Sequence, residues 1–145
     1  MKAVIQRVTR ASVHVGGEVV AEIGRGALVL VGMVTGDDEA GARALAERVG
    51  RLRYFPDDQG RMNLSLDQVG GELLVVSQFT LAADGRRGRR PSFDQALDAR
   101  LAEPLYELFV ESLEALGLPC SRGVFGARMA VELLNDGPVT FVLES

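Results

Sequence analysis

The stretch ALVLVGMV, residues 27–34, is almost continuously apolar. A strand with one wet face alternates polar and apolar residues. An unbroken apolar run reads instead as a strand covered on both faces. Directly after it the period changes. Over residues 37–52, Ala40, Ala44, Leu45, Val49 and Leu52 recur at helical spacing, and Asp37 or Asp38 stands where an N-cap carboxylate belongs. A covered strand feeding an amphipathic helix points to an α/β domain.

The rest of the chain extends this pattern. Residues 3–8 and 12–15 read as short strands, and Gly16-Gly17 turns the second into residues 18–23 as a hairpin. DDQG at 57–60 is a turn signal before RMNLSL. Gly70-Gly71 precede ELLVVSQFTLAA, residues 72–83, a second run rich in β-formers. Past a glycine- and arginine-rich loop, residues 93–116 have helical periodicity, with Pro104 predicted to mark a break or a fresh first turn. Three strand-like pieces finish the chain. Two of them, 129–134 and 139–143, flank NDGPVT (135–140), where Asp-Gly signals a hairpin turn and Pro138 stands at the start of the returning strand. The expected fold is a single α/β domain over 1–145: packed antiparallel or mixed sheets, partly barrel-like, with two main helices on one side.

Composition narrows the function. The 145 residues, 47% hydrophobic, suit one domain with a proper core. No apolar run is long enough to cross a bilayer, and MKAVIQRVTR regains charge too soon for a signal peptide. The single cysteine, Cys120, excludes an internal disulfide framework and fits a reducing cytoplasm. A net charge of −4 argues against a general nucleic-acid coating protein but permits a local basic patch.

The residue types that are missing exclude most chemistries. His14 is the one histidine, and its alternating strand ASVHV marks it as a half-buried or surface residue. One histidine and one cysteine cannot build a zinc site of the usual kind or a conventional triad. Neither a Walker loop nor a dinucleotide fingerprint occurs. An enzyme of this sequence works without metal or cofactor. The polar cluster Ser77, Gln78, Phe79 and Thr80, directly after ELLVV, is either a strand end emerging into solvent or a site. Likewise GRRGRRPSF, residues 85–93, presents Arg86, Arg87, Arg89 and Arg90 beside Phe93, as a solvated loop or as an RNA contact.

Taken together, AVIQRVTRASV, RMNLSL, GGELLVVSQFTLAAD, RRPSF and NDGPVT closely resemble the bacterial D-aminoacyl-tRNA deacylase family from end to end. The resemblance implies a cofactor-free homodimer with active sites at the subunit interface. It implies cleavage of D-amino acids, and of glycine, from the 3′-terminal adenosine of charged tRNA. It implies that Ser77, Gln78, Phe79 and Thr80 form the catalytic floor, and that Gly137 and Pro138, joined by a cis bond and held in place by Arg7, are the chiral selector reaching into the partner's pocket. It also implies that Ala102, Phe125 and Met129 line the adenosine pocket. Without the resemblance, Arg7 reads as a surface strand residue, and Phe125 and Met129 as core. Gly85 and Ala130 depart from the family's commoner threonine and glutamine. Two rivals remain: a non-catalytic RNA-binding module, and a relaxed relative that edits a small L-amino acid.

Overall fold

The computed structural model describes residues 1–86 and 89–145. Eight strands and two helices follow in the order β1 (Lys2–Val15), β2 (Glu18–Ile23), β3 (Gly26–Gly32), α1 (Glu39–Arg51), β4 (Arg53–Pro56), β5 (Met62–Ser65), β6 (Glu72–Ser77), α2 (Ala99–Ala115), β7 (Cys120–Arg122) and β8 (Ala130–Glu144). The run at 27–34 yields β3, which is buried along nearly its whole length between antiparallel β1 and parallel β6. The main sheet is mixed, in the order β2-β1-β3-β6-β7, with β8 on the other edge of β1. It curls into an almost closed barrel, and at its two ends Ser121 Oγ approaches the Glu22 carbonyl at 3.5 Å. The expected α/β architecture is the observed one.

Two apolar layers follow from the alternation of side chains across each strand. On one face Ala3, Ile5, Val29, Val31, Leu73 and Val75 meet Leu45 and Val49 of α1 and Tyr106, Phe109 and Leu113 of α2. On the other, Val8, Val13, Leu28, Leu74 and Val76 fill the inside of the curl with Met129, Val131 and Leu133. Asp38 caps α1 by accepting from the Gly41 N–H at 2.8 Å.

Several boundaries differ from expectation. β1 is one strand where two were read. α2 begins only at Ala99 behind the Asp98 cap, because residues 93–98 are claimed by the segment just past β3. There Thr35 N–H donates to Gln95 O at 2.9 Å and Leu97 N–H to Met33 O at 3.1 Å. Pro104 does not break the helix. It sits on the exposed face, and burial of Ala102, Leu105, Tyr106 and Phe109 opposite it outweighs one lost hydrogen bond.

The largest correction concerns NDGPVT. It is no hairpin turn: β8 runs on through it and pairs with the same antiparallel neighbour on both sides. Gln6 faces Thr140 and Val8 faces Asn135, so the four residues 136–139 stand opposite Arg7 alone and bulge from the ladder. No helix of the described residues is long and apolar enough to cross a membrane.

Candidate active site

β6 stops being a strand at Ser77. Gln78 N–H still reaches the Val31 carbonyl at 2.8 Å, but Phe79–Ala82 then wind into a short 3-10 turn closed by Leu81 N–H to Gln78 O at 3.2 Å. The run 72–83, read as β-rich throughout, therefore splits into strand and turn. Gly32 permits this. A Cβ there would stand 2.5 Å from the Gln78 carbonyl oxygen, so only glycine lets β3 pass under the turn. The N–H groups of Phe79 and Thr80 head the turn, where no preceding turn supplies carbonyls for them.

Beside the turn lies a cavity of about 440 Å³, lined by Ser77, Gln78 and Phe79, by Ala96, Leu97 and Ala99, and by Phe125, Met129 and Val131. Its wall is mostly apolar, with polar atoms concentrated at the strand end, as ligand sites tend to be. Phe125 packs against Tyr106 with ring centres 5.8 Å apart. Of the expected adenosine contacts, Phe125 and Met129 line this cavity. Ala102 does not: it is 7% exposed and belongs to the core, and Ala99, one helical turn earlier, takes the wall position. A larger cleft of about 580 Å³ between the end of α1 and β5 is lined by Arg51, Arg53 and Asp67 and contains none of the expected site residues.

Thr80 is exposed, and its hydroxyl accepts from the Gln78 amide at 2.5 Å. No acid or histidine bonds it among the described residues. Cys120 is no alternative nucleophile, since burial pushes its thiol up to about 12. His14 is half-buried and shares a 3.0 Å hydrogen bond with Ser12 Oγ. Among the described residues no cluster of His, Cys, Asp and Glu is arranged to hold a metal ion.

The NDGPVT bulge stands apart from this cavity. The Gly137–Pro138 peptide is cis, Gly137 has φ +125°, and both residues are exposed. Arg7, 9% exposed, reaches under the bulge. Its Nη1 donates to the Tyr54 carbonyl at 2.8 Å, its Nε donates to the Asp136 carbonyl at 3.3 Å, and Nε lies 3.0 Å from the Asp136 carboxylate. Asn135 Oδ1 accepts the Val139 N–H at 3.0 Å and ties the bulge's two ends together. Val131, in the cavity wall, and Asn135 are four residues apart on one extended strand, about 13 Å. The bulge contributes nothing to the lining of its own chain's cavity.

Arg86, Arg89 and Arg90 are exposed, and Arg87 lies outside the described residues. Arg86 is already paired: its guanidinium grips Asp84 through Nε at 3.0 Å and Nη2 at 2.8 Å, and this hydrogen bonding holds the Asp84 carboxyl down at about 2.

Comparison with known proteins agrees with the fold and the motifs. The family model D-Tyr-tRNA(Tyr) deacylase matches residues 4–144. The D-aminoacyl-tRNA deacylase of Roseiflexus sp. (strain RS-1) is 57% identical over all of this chain and 94% of its own length. That of Pelobacter propionicus is 58% identical, over 99% of each chain. A solved structure named c-Myc DNA unwinding element binding protein superposes with a TM-score of 0.94 at 43% identity, covering 100% of this chain and 99% of that one. A probable eukaryotic D-amino acid tRNA deacylase shares the fold at a TM-score of 0.84 and 17% identity, over 99% of this chain and 98% of its own. Fold and relatives thus define a hydrolase acting on ester bonds. The chain belongs to the D-Tyr-tRNA(Tyr) deacylase family.

Proposed function

We infer that this chain is a D-aminoacyl-tRNA deacylase that hydrolyses the ester between a D-amino acid, or glycine, and the 3′-terminal adenosine of tRNA. The observation that carries the reading is the apolar cavity ending at the Ser77–Gln78–Phe79 turn. The adenosine lies against Phe125 and Met129, and the ester carbonyl meets the Phe79 and Thr80 N–H groups. A backbone donor aimed at the developing oxyanion is typically worth about 3 kcal/mol, a hundredfold or more in rate. Water adds to the carbonyl carbon, the bond to the ribose 3′-oxygen breaks with a proton passing to that oxygen, and the amino acid leaves as its carboxylate. The vicinal 2′-hydroxyl of the RNA assists the attack, because among the described residues the Thr80 hydroxyl is bonded by the Gln78 amide and by no acid or histidine.

Selection is steric. The working unit is a cytoplasmic homodimer in which the Gly137–Pro138 bulge of one subunit enters the cavity of the other. An exposed bulge, braced from beneath by Arg7 and held about 13 Å along the strand from its own cavity wall, supports that exchange. Its carbonyls accept the substrate ammonium and leave no room for an L side chain. Glycine passes the same filter for want of a side chain. Incubation with D-Tyr-tRNA, L-Tyr-tRNA and L-Ala-tRNA tests the whole reading. Release of the D amino acid alone is expected. Release of L-alanine favours the relaxed editing relative, and no release favours an RNA-binding module.

A further inference from the structure

Phe79, in the cavity wall, and Phe93, beside it, meet edge to face, with ring centres 5.2 Å apart and planes at 60°. Phe79 is 60% exposed and Phe93 38%, although the wall they adjoin is apolar and half-buried. Two exposed aromatics packed against each other beside an apolar cavity form a contiguous apolar patch, and such patches mark contact sites for ligands or partners. Each ring stands at the start of a hydrogen-bonded turn. Phe79 opens the 3-10 turn. Phe93 opens a turn closed by Ala96 N–H to Phe93 O at 2.9 Å, and this turn is bonded to the segment just past β3 through Gln95 and Leu97.

The surroundings state what the pair would hold. Phe79 lines the cavity, and so do Ala96 and Leu97, three and four residues after Phe93, so the ring pair adjoins the wall. Ser92, next to Phe93, exchanges backbone hydrogen bonds with Asp84 at 2.8 and 2.9 Å, and exposed Arg90 and Arg89 stand three and four positions before Phe93. An apolar cavity, a pair of aromatic faces and a cationic segment follow one another in that order. A single-stranded RNA end offers the matching sequence of terminal nucleoside, penultimate base and upstream phosphates.

We propose that the Phe79–Phe93 pair is a stacking platform for the nucleobase preceding the terminal adenosine. The site then grips the last two nucleotides of the 3′ end. This rests on the deacylase reading of the cavity and adds a second subsite to it.

The test compares D-tyrosine esterified to adenosine alone with D-tyrosine esterified to the dinucleotide cytidylyl-adenosine. One stacked base is worth about 1–3 kcal/mol, so kcat/KM on the dinucleotide should exceed that on the mononucleoside by roughly 5- to 150-fold, mostly through KM. Phe93→Ala should bring that ratio to within about twofold of one, and Phe93→Trp should keep it. Equal rates on both substrates with the wild-type chain overturn the platform and leave the deacylase reading standing. Cleavage of neither overturns both. A Phe93→Ala chain that keeps the ratio but loses its dimer in sedimentation also overturns the proposal, because the rings then serve the subunit contact.

Discussion

Arg7 Nε lies 3.0 Å from the Asp136 carboxylate, across a sheet in which the two residues share no ladder pairing. The same guanidinium donates to the Tyr54 carbonyl at 2.8 Å, so one buried cation joins β1, β4 and the bulge before Gly137. Five donors in a fixed planar fork make this possible, and lysine cannot reproduce it.

Arg7→Ala removes hydrogen bonds from a charged group to a buried carbonyl, about 1.5–3 kcal/mol of stability. Deacylation of D-Tyr-tRNA should fall and protection of L-Tyr-tRNA weaken, with Arg7→Lys close to Arg7→Ala. Urea unfolding and paired D and L assays measure both. A lysine variant with wild-type selectivity would remove the bracing role.

Gly32→Ala places a methyl carbon 2.5 Å from the Gln78 carbonyl oxygen and 3.1 Å from the Leu81 Cβ. The turn must shift to admit it, and a misplaced oxyanion donor costs about 100-fold in kcat. The chain should still fold by circular dichroism. Unchanged kcat would show that the turn's position is not critical.

Thr80→Val deletes a hydroxyl whose recorded partner is the Gln78 amide. Activity within about tenfold of wild type is expected, while a substrate carrying a 2′-deoxyribose terminus should react far more slowly. Complete inactivity of a folded, tRNA-binding Thr80→Val chain would make the threonine a nucleophile.

Arg89 and Arg90 are exposed, whereas Arg86 is held by Asp84. Replacing both Arg89 and Arg90 by alanine should weaken tRNA binding and lower the slope of log K against log salt by about one per arginine. Arg86→Ala should do less. Equal slopes in all three proteins would exclude phosphate contacts by these side chains.

Cys120 ionises near 9 when free and near 12 in the folded chain, because burial disfavours the thiolate. The unfolded chain therefore loses its proton first. The stability contributed by the neutral thiol is complete below pH 9 and drains away as pH rises from about 9 toward 12. Cys120→Ala should flatten part of that decline in denaturant midpoints, and it should retain activity at pH 7–8. Matching curves for the two proteins would place the decline elsewhere.

Some of this was legible in residue order and some was not. Strand β3 and helix α1 were readable because their periods differ and each completes its pattern within its own residues. Residues 93–98 misled for the opposite reason. Their spacing is helical, yet backbone hydrogen bonds to Met33 and Thr35 were available only once β3 had placed them there. Ala102 and Ala99 are three apart on one helix, and only packing distinguishes core from cavity wall.

NDGPVT marks the boundary between the two kinds of knowledge. By itself the sequence determined an α/β domain, the strand-end cluster SQFT and a Gly-Pro segment distinct from its flanks, since these depend on local period and residue type. The tertiary structure alone decided that the segment is a bulge in one strand. A long neighbour, β1, pairs with both halves of β8, and a register shift between them has no signature in either strand alone. It also turned Arg7 from a plausible surface residue into a buried clamp, because Tyr54 and Asp136 reach it from 47 and 129 residues away.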